Sequence, residues 1–206
     1  MSVIAITGAA GGIGRATRER LEADGHTTIG IDLAGAEIAA DLSTPGGRRA
    51  MVREVDDACE GVLDGLVVAA GVGAGERTDL GPTIVSVNYF GAVATLEGLR
   101  PLLEGGTDPS VVVLASNSVT TQPGYPVEVA EWCLAGDEPR ARQAAEPDAI
   151  GAYPASKLAL ALWARRQATT SAWIGAGIRL NAIAPGFIDT PMTVGTWDFV
   201  ASLGEV

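Results

Sequence analysis

Tyr153 and Lys157 stand four residues apart in the segment Tyr153-Pro154-Ala155-Ser156-Lys157. On a helix, positions i and i+4 share one face. An ammonium beside a phenol favours the phenolate and draws the tyrosine pKa down from about 10 toward the working pH. Tyr153 is then a candidate general acid–base. The same pattern also occurs on solvated helix faces that do no chemistry, so its weight depends on its surroundings.

A second stretch supplies them. Thr7-Gly8-Ala9-Ala10-Gly11-Gly12-Ile13-Gly14 follows the apolar run 3–6 and precedes a helix-like segment, residues 15–24. Strand, glycine turn and helix open a dinucleotide-binding fold. A helix N-terminus offers unpaired N–H groups and a positive dipole end to a pyrophosphate. Glycines let the backbone approach and take positive φ. Gly8, Gly12, Ile13 and Gly14 are candidate cofactor contacts, although many strand–helix turns carry glycine for geometry alone. Asp32 closes the second apolar run, 18 residues after Gly14. An acidic side chain near that spacing can bind the adenosine ribose hydroxyls and would repel a 2′-phosphate. No arginine or lysine lies between Thr7 and Gly14 or just after Asp32. NAD is favoured over NADP. The plainer alternative is that Asp32 begins a turn. Asp41 and Leu42 follow a weak third strand, residues 36–40, beside where an adenine would lie.

These elements need a scaffold. The 206 residues fit one large α/β domain, and 47% hydrophobic content supplies a core. Apolar strands alternate with amphipathic helices, which predicts a doubly wound, mostly parallel, Rossmann-like sheet in a single domain, 1–206. Strands are expected at 3–7, 27–31, 36–40, 66–70, 111–115 and 178–183. Helices are expected at 12–24, from Ser43 or Thr44 to about Cys59, at 83–103 with Pro101 in a kink or near the end, and from Tyr153 to about 174. Pro154 lacks an N–H, so that last helix should begin near Tyr153. Residues 122–148 break the rhythm with several prolines and one helical stretch.

A net charge of −11 argues against a nucleic-acid partner and an anionic membrane surface. No run of 18 apolar residues predicts a membrane span, and no signal peptide is read. Cys59 and Cys133 lack metal-ligand or paired spacing, and His26 is the only histidine. No metal site is expected, and two isolated thiols suit a cytoplasmic setting.

In order and setting, these residues resemble the short-chain dehydrogenase/reductase family across essentially the whole chain. The matching segments are TGAAGGIG, VNYFGA, VVVLASNS, YPASK and IRLNAIAPGFIDTPM. More narrowly, GHTTIGIDL, AADLST and SVNYFGA are similar to the bacterial 3α-hydroxysteroid dehydrogenase/carbonyl reductase group. The resemblance implies that Tyr153 exchanges a proton with a substrate oxygen. Lys157 would bind the nicotinamide ribose and tune Tyr153. Ser116, rather than Ser118, would hydrogen-bond the substrate oxygen, and Asn88 would bend its helix and hold a relay water. Ile188 and Thr190 match the segment that holds the carboxamide. Ala70 and Gly71 would line the adenosine side.

Some features depart from that pattern. Ala69 replaces the asparagine of the usual strand-end triplet. Gly8, Gly11 and Gly14 also fit a spacing used by epimerase-type relatives. The gap from Ser116 to Tyr153 is wider than is usual in the family, so residues 122–148 read as an insert, either a lid or an altered interface. Trp132 within it would pack on substrate or, more simply, on the core. Relatives carry another helix and a seventh strand after the substrate loop (about 187–206), so the last strand is expected to be lacking here. The resulting uncovered edge favours a homo-oligomer, a dimer or tetramer. The function expected is an NAD(H)-dependent interconversion of a small apolar secondary alcohol and ketone, with a 3α-hydroxysteroid favoured. A catalytically silent NAD-binding sensor or scaffold is the alternative.

Overall fold

The computed structural model describes residues 1–75, 77–122 and 124–194. Six parallel strands form one sheet in the order β3-β2-β1-β4-β5-β6. They are β1 Val3–Thr7, β2 Thr27–Asp32, β3 Ile38–Ala39, β4 Gly65–Val68, β5 Ser110–Leu114 and β6 Arg179–Ile183. The central strand β1 pairs Thr7 with Ile31 of β2 on one side and with Val68 of β4 on the other. Both neighbours therefore end level with the glycine turn. Strands flanked on both edges and covered on both faces must be apolar throughout, which is why β1, β4 and β5 read as unbroken aliphatic runs.

The β2–β3 connection, residues 33–37, holds no helix although the two strands are parallel. Side chains secure it instead. The Glu37 carboxylate accepts from Gly30 N at 3.0 Å and pairs with Arg18 of α1 (Gly12–Ala23). Helix α2, Pro45–Ala58, begins at Thr44, whose hydroxyl accepts from Gly47 N at 3.0 Å. Pro45 occupies the first turn, where a missing N–H costs nothing.

The expected long helix is present but not uniform. It runs as α3 (Gly81–Val85), a π-helical turn (Ser86–Gly91) and α4 (Ala92–Leu103). Pro101 sits in the last turn of α4. The insert is more regular than its prolines suggest. It holds α6, Val127–Leu134, and α7, Glu138–Ala145, after the single turn α5, Ser118–Thr121. Asp137 caps α7 by accepting from Arg140 N at 3.1 Å.

The helix that carries Tyr153 begins earlier than expected. Helix α8 spans Ala149–Gln167, with Pro154 inside it, and ends well short of residue 174. Asp148 fixes the start by accepting from Gly151 N at 2.8 Å. Pro154 forgoes one intrahelical bond, while Ala149, Ala152, Ala155 and Ala159 are all buried. Among the described residues no helix is long and apolar enough to cross a membrane. Cys59 and Cys133 are buried free thiols.

Candidate active site

A cleft of about 360 Å³ opens along the C-terminal ends of β2, β1, β4 and β5. Gly8, Gly12, Ile13, Gly14, Asp32, Asp41, Leu42, Ala70, Gly71, Ser116, Tyr153, Lys157, Ile188 and Thr190 all line it. Ligands in open α/β sheets bind beyond that edge. Fourteen side chains and turns chosen from the sequence thus meet on one wall-to-wall surface.

The glycine turn is held by its neighbours. Gly8 has φ 73°, and Gly8 N donates to Ile31 O at 2.8 Å. Gly14 packs so closely that a Cβ there would lie 2.1 Å from Gly8 O. That contact is backbone on both sides and cannot yield. Gly14→Ala is expected to cost about 3 kcal/mol, the upper range for overpacking. Urea unfolding followed by circular dichroism measures it, with an unchanged midpoint as the contrary result.

No side chain caps the start of α1 at Gly11. Its first N–H groups face the cleft with the positive dipole end behind them. Asp32 sits opposite. One carboxylate oxygen accepts from Ala10 N at 3.0 Å, and the other from Leu33 N at 2.7 Å. Asp32 therefore braces the turn as well as facing the cleft. Asp41 holds its own turn, accepting from Ser43 N at 2.9 Å and Ser43 Oγ at 2.6 Å.

At the other end, β5 delivers Ser116 and α8 delivers Tyr153 and Lys157. Ser116 stands near enough to Tyr153 for its hydroxyl to favour the phenolate. Lys157 Nζ lies 5.9 Å from the Tyr153 ring centre and donates to Leu114 O at 2.8 Å. Burial pushes the Tyr153 phenol up from its ordinary value, and the Ser116 hydroxyl only partly offsets this. The lowered phenol pKa expected from Lys157 is not found here. The reason is desolvation: Lys157 is itself only 4% exposed and is aimed at a carbonyl. Burial draws its ammonium down to about 8.

Asn88 is the one candidate that does not line the cleft. It is fully buried in the π-helical turn. Its Oδ1 accepts from Val72 N at 2.8 Å, and its Nδ2 donates to Val72 O at 3.0 Å. It supports the wall formed by Gly71 and Val72 from behind. Several lining positions were not singled out as site residues from the sequence, among them Val72, Val87 and Met192. Thr7 was also missed. Its buried hydroxyl accepts from both Ala69 N and Ala70 N at 3.1 Å, tying down the strand end where Ala69 offers no side-chain bond. A threonine closing an apolar strand before a glycine turn is the available clue.

None of the described residues 122–148 lines the cleft. Trp132 packs partly buried against the core, donates to Glu128 Oε1 at 3.1 Å, and lies beneath Arg140. The residues of the substrate loop beyond 194, Trp197 included, lie outside the described residues.

Comparison with known proteins follows the same lines. Residues 2–129 match the family described as short chain dehydrogenase, and residues 140–206 match one described as enoyl-(acyl carrier protein) reductase. The chain is 42% identical over 196 residues to the 3-alpha-hydroxysteroid dehydrogenase/carbonyl reductase of Comamonas testosteroni, covering 93% of this chain and 75% of that protein. The crystal structure of 3-alpha-hydroxysteroid dehydrogenase from Pseudomonas sp. B-0831, complexed with NADH, matches with a TM-score of 0.91 at 45% identity, covering 100% of this chain and 81% of that one. Salutaridine reductase from Papaver somniferum shares the fold, with a TM-score of 0.76 at 19% identity over 95% of this chain and 90% of that one. With a uniform parallel sheet, an uncapped glycine turn and these relatives, the chain belongs to the short-chain dehydrogenase family of oxidoreductases.

Proposed function

We propose that this chain is an NAD(H)-dependent oxidoreductase that interconverts a secondary alcohol and a ketone, with Tyr153 as general acid–base. The carrying observation is the meeting of Tyr153, Ser116 and Lys157 on the same cleft as the uncapped start of α1. A 3α-hydroxysteroid or a similar carbonyl compound is the proposed substrate. Two relatives above 40% identity are named for that activity. Pro185, Ile188 and Met192 give the mouth an apolar side.

The residues fit a dinucleotide. Gly8, Gly12 and Gly14 leave room for a pyrophosphate at the N-terminus of α1. Asp32 would take ribose hydroxyls and repel a 2′-phosphate. Among the described lining residues Lys157 is the one cation, and it lies at the far end from Asp32. A bound nicotinamide supplies hydride transfer to and from the substrate carbon.

The protein's own part is orientation and proton movement. Ser116 Oγ accepts from Ser118 N at 3.2 Å. That bond occupies only an acceptor site, so the hydroxyl proton can turn from Tyr153 to a substrate oxygen. Tyr153, held protonated by burial, donates its proton to that oxygen in ketone reduction and takes it back in alcohol oxidation. Lys157 would bind the nicotinamide ribose and keep positive charge near the phenol as it ionises. Asn88 would act by fixing Gly71 and Val72 beside Lys157.

The test is turnover. Purified protein with NAD and a 3α-hydroxysteroid should generate NADH absorbance. Bound NADH with no turnover on a panel of steroid and simple alcohols would overturn the catalytic reading in favour of a cofactor sensor.

A further inference from the structure

Arg48 is hydrogen-bonded through all three of its guanidinium nitrogens, and the proposed chemistry does not use it. It lies on α2 and is 7% exposed. Its Nε donates to Leu42 O at 2.7 Å, and its Nη2 donates to Ser86 O at 2.9 Å. Both terminal nitrogens grip Glu138 of α7, at 2.6 and 2.7 Å. Arg142, one helical turn further on, donates to Ser86 Oγ at 2.6 Å. Burial raises the Glu138 carboxyl, but Arg48 and Ser86 outweigh it and hold it below its ordinary value. It therefore remains an anion.

The positions gripped are informative. Leu42 lines the cofactor cleft next to Asp41, and Ser86 precedes Val87, another lining residue. Leu42 is also wedged against the π-helical turn, where a Cβ on Gly91 would stand 3.0 Å from Leu42 Cβ and O. Two backbone segments on the Asp41 side of the cleft, the end of the β3 loop and the π-helical turn, thus share one guanidinium. Its counter-charge comes from the insert, 90 residues away in sequence. A buried arginine is costly unless paired and fully bonded. Without Glu138 it would turn toward water and release both carbonyls.

We propose that Arg48 and Glu138 form a positioning pair through which the inserted helix α7 sets affinity for the adenosine half of the cofactor. This rests on the NAD(H) reading above. The insert then acts on cofactor binding without touching the cofactor or the reacting atoms.

The experiment is NADH titration by fluorescence on the full chain, with ADP-ribose and nicotinamide mononucleotide as half-ligands. Glu138→Gln is expected to weaken NADH and ADP-ribose about tenfold, leave nicotinamide mononucleotide within about twofold, and keep kcat at saturating cofactor. Glu138→Asp should recover most of the affinity. An equal loss in both half-ligands, or a lowered melting temperature with unchanged Kd, overturns the proposal. If Glu138→Gln does not fold, Arg142→Gln loosens α7 from Ser86 while leaving the pair intact. It should weaken ADP-ribose about threefold, and no change there is equally decisive against the idea. Failure of the unaltered chain to bind NADH would instead sink the cofactor reading, whatever the variants do.

Discussion

Tyr153→Phe is expected to lower kcat for ketone reduction about a thousandfold while leaving NADH affinity unchanged, the range that general acid–base groups contribute. Only the hydroxyl is removed, and the ring stays packed between Lys157 and the end of β5. The two activities should also separate with pH. Burial keeps the phenol protonated, so reduction is fully developed at neutral pH and declines as pH rises through the phenol's raised pKa. Oxidation needs the phenolate and gains over the same rise. Initial rates in both directions from about pH 7 to above about pH 10 check this. Activity persisting in the phenylalanine variant would remove Tyr153 from the mechanism.

Lys157→Met is expected to separate stability from activity. In the unfolded chain this amine titrates near 10.5, and in the folded protein near 8. Between those values the unfolded chain holds a proton that the fold has released, so stability rises with pH across the window and is lowest below about 8. The buried ammonium costs about 3 kcal/mol at neutral pH by that linkage. Losing the bond to Leu114 O returns about 1 kcal/mol of it. The methionine variant should melt about 5 °C higher at pH 7, with the advantage gone by about pH 10. Its turnover should collapse, because a neutral thioether cannot support an ionising phenol. Thermal melts by circular dichroism at both pH values test the first part. A variant less stable at pH 7 would refute the electrostatic account.

The site was legible in the sequence wherever position along the chain decides chemistry. Glycine spacing, Asp32 at the end of β2 and Ser116 at the end of β5 depend only on where strands stop. What depends on packing was not legible. The Tyr153 and Lys157 spacing gave the right face but the wrong direction for the phenol. Which carbonyl the lysine meets, and how dry the pair is, follow from residues far away, Leu114 among them. Proline misled twice. Pro126 and Pro139 stand at the starts of α6 and α7, where they initiate rather than interrupt. Pro154 is carried inside α8 because the Asp148 cap and the buried alanine face outweigh one missing bond. The π-helical turn at Asn88 left no periodic trace, since a single widened turn hardly alters the apolar pattern.

Thr7 carries a consequence for how the cleft receives a ligand. One residue at the end of the central strand fastens β4 through its side chain, while the next two, Gly8 and Ala9, fasten β2 through their N–H groups. The two floors of the cleft therefore cannot hinge against each other. Adjustment must come from the opposite rim, residues 185–194, where Ile188 and Met192 are nearly half exposed and no helix or strand constrains the backbone. The cleft thus joins a cross-tied floor to a rim held by short-range bonds, Thr193 Oγ1 to Ile188 O at 2.8 Å among them. The entropy cost of taking up a ligand falls mainly on that rim.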